Sequence, residues 1–209
     1  MLTPTQWIRK YDGKYIEWDG SSLSSNSYNQ CVDAIKCYVE ECFGIVTKGK
    51  GTSAWGNAVD YYTSFNNTGW GGYKKFHDAG FAKIPNTIDL IPQLGDIVVW
   101  KVPSKTGHIG VVYSATQHSI KSYDQNYGSD KRVRLVNHND NYKGVCGVLR
   151  PPHIVISDVN VRTGPGSVYK KVDELLTGFK VTVYATNGNW VCVSKAGDRW
   201  ISKNYINKF

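Results

Sequence analysis

At 209 residues the chain has room for one or two domains and for a core that needs no disulfide staples. A hydrophobic share of 41% with 13% aromatics excludes an intrinsically disordered chain, and no apolar run approaches the roughly 20 residues that span a bilayer. The net charge of +8, from 25 Lys and Arg against 17 Asp and Glu, favours polyanionic partners; the basic residues are scattered and form no dense arginine tract, so nucleic acid is not the expected one.

In chain order, residues 4–11, with Pro4, Trp7, Ile8 and Tyr11, read as a short amphipathic helix. No basic segment followed by an apolar one opens the chain, so synthesis and first residence in a cytoplasm are expected. Residues 12–30 read as loop, with Gly13, Gly20 and five serines between Ser21 and Ser27. Residues 31–43 then carry a helical stripe: Cys31, Ala34, Ile35, Tyr38 and Cys42 share one face, and Gly44 is a stop signal. Residues 55–65 read as a further helix. After Pro92 the pattern changes to short apolar, β-branched runs at 95–100, 109–113, 120–124, 133–136 and 145–149, an antiparallel sheet signature. Helices first and strands later predict an α+β domain. Arg150-Pro151-Pro152-His153 marks a boundary, because two prolines deny both helix and central strand. Beyond it, runs at 159–162, 180–184, 190–194 and 199–201 predict a small all-β barrel or sandwich.

Five cysteines at irregular spacing argue against a disulfide framework, and Cys31, Cys37 and Cys42 do not have zinc-ligand spacing. A Cys-x-x-Cys redox pair is absent from the sequence. Cys31 stands apart because it falls where loop gives way to helix, and unpaired N–H groups and the macrodipole at a helix start favour a thiolate. His108, in a Gly-His-Ile-Gly run, could take the thiol proton and return it to a leaving amine. Asp124, on the next strand, could hold the imidazole in one tautomer, and Asn126 would share that strand face if the strand continued. The Cys31 backbone N–H and the Gln30 amide could form an oxyanion hole. If these groups converge, the chain cuts amide bonds. His77, His118, His138 and His153 lack comparable contexts and read as surface residues.

Four blocks occur in order: Tyr28-Asn29-Gln30-Cys31-Val32-Asp33, Gly95-Asp96-Ile97-Val98-Val99-Trp100, Gly107-His108-Ile109-Gly110-Val111-Val112 and Tyr123-Asp124-Gln125-Asn126. Together with the closing Gly147-Val148-Leu149-Arg150-Pro151 they resemble the CHAP family, the cysteine, histidine-dependent amidohydrolases/peptidases of phage endolysins and bacterial autolysins. The resemblance covers residues 1–150 and implies a papain-like α+β fold and hydrolysis of peptidoglycan amides. It implies Cys31 as nucleophile, His108 as base, and Asp124 and Asn126 as supporting polar residues. Many members carry Glu where this chain has Asp124. The family also implies a structural calcium ion in the loop before the cysteine, for which Glu17, Asp19 and Asp33 occupy the ligand places. No cofactor is implied for the chemistry.

Residues 155–209 resemble bacterial SH3-like wall-binding domains, through Val159-Asn160-Val161-Arg162-Thr163-Gly164-Pro165-Gly166 and the strands near Trp190 and Trp200. Tyr169, Trp190 and Tyr205 are candidates to stack on a wall ligand. The expectation is a monomeric endolysin that acts on the peptidoglycan of Gram-positive bacteria, as an N-acetylmuramoyl-L-alanine amidase or a stem or cross-bridge endopeptidase. It would bind no nucleic acid and insert in no membrane. The alternatives are a host-encoded autolysin, or a wall-binding protein that has lost catalysis.

Overall fold

Residues 1–18, 30–47, 56–101 and 105–207 are described by the computed structural model of the chain. The chain divides into two compact units: Met1–Ala79 with Lys83–Arg150, and Gly80–Ala82 with the residues from Pro151 on.

In the first unit, helix α1 (Pro4–Tyr11) opens on a reciprocal cap. The Thr3 hydroxyl accepts from the Gln6 N–H at 3.2 Å, and the Thr3 N–H donates to Gln6 Oε1 at 2.8 Å. Such a cap contributes about 1 kcal/mol. Pro4 occupies the first turn, where its missing N–H costs nothing. The buried face of α1 meets helix α2 (Gln30–Phe43), with Trp7 set edge-on to Tyr38 at 5.2 Å. The predicted stripe of α2, Cys31, Ala34, Ile35, Tyr38 and Cys42, is buried, but so is every other residue from Cys31 to Val39, so the first part of the helix is enclosed on all sides. Gly44 follows at φ +67, the left-handed conformation that ends a helix.

The predicted helix over 55–65 is reduced, within the described residues, to the single turn α3 (Asp60–Thr63). Helix α4 (Tyr73–Ala79) has no counterpart in the sequence expectations. It carries one buried apolar residue, Phe76, which is too little to set up a period.

The sheet of this unit runs in the order β1 (Ala82–Pro85), β6 (Val145–Arg150), β2 (Ile97–Trp100), β3 (His108–Ala115), β4 (Ile120–Asp124), β5 (Arg134–His138). The pairings from β6 through β5 are antiparallel. Strand β2 is central and buried at all four positions, so both faces of the sheet are covered there. Val98 and Trp100 enter a core with Leu90, Val112, Ile120, Tyr142, Val145 and Val148. Helix α2 packs against β3, which brings the start of the helix to the start of the strand that carries His108.

Asp96 and Arg150 link the strands at the base of β2 and the end of β6. The Arg150 guanidinium donates to Asp96 Oδ1 at 2.9 Å through Nε and to Oδ2 at 2.7 Å through Nη2, with both side chains buried. These two residues of the sequence motif therefore serve the sheet.

In the second unit, β7 (His153–Ile154) pairs with β10 (Lys180–Val181). A separate five-stranded sheet runs β11 (Ala185–Asn187), β12 (Trp190–Cys192), β13 (Trp200–Ser202), β8 (Val159–Arg162), β9 (Lys171–Leu175). Its core is aliphatic: Val155, Val159, Val161, Val181, Val183, Val191, Ile201 and Ile206. The expected barrel is not closed among the described residues, because β10 pairs with β7 and leaves β11 and β9 as sheet edges. The all-β SH3-like class stands. No helix of the described residues is long and apolar enough to cross a membrane.

Candidate active site

Three elements supply the site. Cys31 is the second residue of α2, where the first N–H groups have no partner within the helix. His108 opens β3, and Asp124 closes β4. All three side chains are buried.

The Gly-His-Ile-Gly run has a steric explanation at each glycine. Gly107 has φ +72, and a Cβ there would lie 2.3 Å from the Trp100 carbonyl oxygen, so only glycine lets the chain enter β3 this close to β2. Gly110 is the register partner of Asp124, and a Cβ there would lie 2.1 Å from Asp124 Oδ1. The carboxylate lies where a side chain at 110 would be.

The structure brings Cys31, His108 and Asp124 together. His108 Nε2 lies 3.1 Å from Asp124 Oδ2, and the Cys31 thiol is near enough to the His108 imidazole to act on its pKa. Burial by itself would push the His108 pKa down. The hydrogen bonds to Asp124 and Cys31 outweigh it and raise the pKa from 6.5 to about 10. Burial by itself would push Asp124 up, but hydrogen bonds from His108 and His138 hold the carboxyl below its ordinary range, so it is ionised.

Strand β4 ends at Asp124, and Asn126 follows it at φ +59, a left-handed conformation that asparagine tolerates. Its Oδ1 accepts from Lys131 Nζ at 2.5 Å. The condition that would have put it on the Asp124 face, a continuing strand, is not met. Gln125 between them is fully buried and clamps the backbone of Ile16, accepting from its N–H at 3.0 Å and donating to its carbonyl at 2.7 Å. Gln30 heads α2, but its side chain lies outside the described residues.

His138 corrects the expectation of a surface residue. It is buried, and its Nε2 lies 2.9 Å from Asp124 Oδ2, the oxygen that also meets His108. Trp100 and Tyr127 flank both imidazoles, at 5.7 and 5.4 Å from His108 and at 4.5 and 5.0 Å from His138. No local motif announces His138. The one available signal was a histidine closing a strand otherwise composed of ordinary strand residues.

Burial pushes the thiols of Cys37, Cys42 and Cys146 up and keeps them protonated. All five cysteines are free of disulfides.

For calcium, Glu17 accepts from the Tyr15 hydroxyl at 3.4 Å, and Asp33 is buried in the first turn of α2. Asp19 lies outside the described residues. Among the described residues, no group of three or more His, Cys, Asp or Glu could hold a metal ion.

The family described as "CHAP domain" matches residues 21–126, about half of the chain. The chain belongs to the CHAP domain family. A second match, "Bacterial SH3 domain", covers residues 157–207. The crystal structure of Ly7917 is similar over 96% of this chain and 92% of that one, at 17% identity and a TM-score of 0.50, a likeness of fold. That of the wild-type endolysin LysIME-EF1 is similar over 72% of this chain and 65% of that one, at 22% identity and a TM-score of 0.48. No curated protein matches the chain. The CHAP match takes in Cys31, His108, Asp124 and Asn126 and ends before His138.

In the second unit, Trp190 and Tyr205 line one cavity of about 280 Å³ together with Asp158, Asn160, Arg162 and Glu174. Tyr169 is not among its lining residues; its ring covers Gly164 and Gly166 instead.

Proposed function

We propose that the chain is a peptidoglycan hydrolase of the endolysin type, in which the CHAP domain cleaves an amide of the stem peptide or of its muramyl junction. The observation that carries this reading is His108, buried with its Nε2 3.1 Å from Asp124 Oδ2 and with the Cys31 thiol near enough to raise its pKa.

The raised pKa of His108 suits it to take the proton of the Cys31 thiol as the sulfur attacks. The thiolate sulfur attacks the amide carbonyl carbon, and the C–S bond forms as the carbonyl π pair moves to oxygen. Unpaired N–H groups at the start of α2, that of Cys31 among them, face the oxyanion. The oxyanion pair returns, the C–N bond breaks, and His108 gives its proton to the leaving amine. Neutral His108 then takes a proton from water, whose oxygen displaces the sulfur and restores thiolate and imidazolium. Asp124 keeps the imidazole in place throughout.

The bacterial SH3 domain would hold the enzyme on the wall and raise its local concentration there. The Trp190 and Tyr205 cavity, with Arg162 beside Asp158 and Glu174, is suited to a peptide carrying both charges. The net charge of +8 adds attraction to an anionic wall.

The test is Cys31→Ala on a Gram-positive cell suspension. Loss of clearing with retained sedimentation on walls supports the reading; full clearing by the variant removes it. Mass spectrometry of the digest separates an amidase, which frees the muramyl lactyl carboxylate, from an endopeptidase, which frees an amine within the stem or bridge.

A further inference from the structure

We propose that His138 is a positioning residue of this site, which holds Asp124 Oδ2 on His108 so that His108 presents its other nitrogen to Cys31. The proposal rests on the Cys31, His108 and Asp124 reading above.

Asp124 Oδ2 meets two imidazoles, His108 Nε2 at 3.1 Å and His138 Nε2 at 2.9 Å. An ionised carboxylate only accepts, so each Nε2 carries a hydrogen. The second oxygen, Oδ1, is buried with no hydrogen-bond partner and lies over Gly110. Orientation of the carboxylate therefore depends on donors to Oδ2. With His108 as sole donor, rotation of the carboxylate would exchange a bonded oxygen for an unbonded one. A second donor from another strand fixes the plane.

The burial pattern of β5 supports a dedicated role. Its apolar residues Leu135 and Val136 are exposed and half-buried, whereas His138 is the one buried residue of the strand. Hydrophobic burial would choose the reverse, so a polar bond explains the inward side chain. Trp100 and Tyr127 flank both rings and limit their tilt. His138 donates to the same oxygen as His108, so its effect on the thiol passes through Asp124.

The experiment compares His138→Ala, His138→Gln and the unmodified protein in two measurements. One is the initial rate of clearing of purified Gram-positive cell walls. The other is the rate at which Cys31 is alkylated by iodoacetamide as a function of pH, with the modified peptide identified by mass spectrometry. His138→Ala is expected to clear about 10- to 100-fold more slowly, the scale of one lost hydrogen bond to a charged group. Its Cys31 alkylation is expected to shift to higher pH. His138→Gln keeps an N–H donor and is expected to restore most of both. A folded His138→Ala protein with unchanged clearing and an unchanged alkylation profile overturns the proposal.

If His138→Ala does not fold, imidazole nitrogen NMR of the unmodified protein decides. A proton on His138 Nε2 supports the role, and a bare Nε2 overturns it. Full clearing by Cys31→Ala would instead remove the underlying reading, so the two failures are distinguishable.

Discussion

Gly110 and Asp124 face each other across β3 and β4, and the Asp124 carboxylate occupies the space that a side chain at 110 would need. The first consequence is a sharp intolerance. Gly110→Ala would place a methyl 2.1 Å from Oδ1 and 3.3 Å from the Tyr123 carbonyl oxygen, so the carboxylate must leave. Overpacking of this kind costs about 1–3 kcal/mol. The expected variant is folded by circular dichroism, melts lower and clears walls at least about tenfold more slowly. Wild-type clearing would show that Asp124 can be displaced at no cost to His108.

The two shifted groups set opposite limits on pH. The folded pKa of His108 is raised from 6.5 to about 10, so its contribution to stability is fully present below about 6.5 and is lost as pH rises towards 10. Asp124 is lowered, so its contribution is present above about 3.8 and is lost as pH falls through the folded value. In His108→Ala the alkaline loss of melting temperature should flatten. Parallel melting curves for variant and parent between pH 6.5 and 10 would contradict the pairing.

Asp96 and Arg150 form a buried pair, and removing one partner strands the other charge. Asp96→Ala or Arg150→Ala is expected to destabilise by about 3–5 kcal/mol. The double replacement should cost clearly less than the sum, because no lone charge remains. Denaturant unfolding of the four proteins measures the coupling; strict additivity would show that the pair is not coupled.

For the second unit, Tyr205→Ala opens the cavity wall at an exposed position, so folding should survive. Wall sedimentation is expected to weaken by roughly tenfold or more, on the scale of one stacked aromatic. Tyr169→Ala, which removes a ring outside that cavity, should weaken it less. Equal losses for both would place the binding surface elsewhere.

The legible parts of this chain were those announced by local signals. The helical run of α2 with its Gly44 stop and the short apolar run of β4 (Ile120–Asp124) are such signals, although both elements are more fully buried than a single periodic face requires. Strands β9 and β11 were not legible, because their side chains are largely exposed and pairing alone holds them. The place of Asn126 was not legible, because the strand ends at Asp124 and the backbone turns after it. His138 was missed because its partner, Asp124, lies on another strand and no spacing rule connects them.

By itself the sequence determined the two-part organisation, the α+β and all-β classes, and the family blocks that single out Cys31, His108 and Asp124. Periodicity, proline breaks and short motifs are local signals and need no knowledge of distant partners. Only the tertiary structure decided that one carboxylate oxygen serves two histidines, that Gly110 makes room for that carboxylate, and that Gln125 clamps Ile16 while Asn126 accepts from Lys131. Those relations depend on strand register and on burial, which raises the energy of every unmade hydrogen bond and so selects a single arrangement of polar groups.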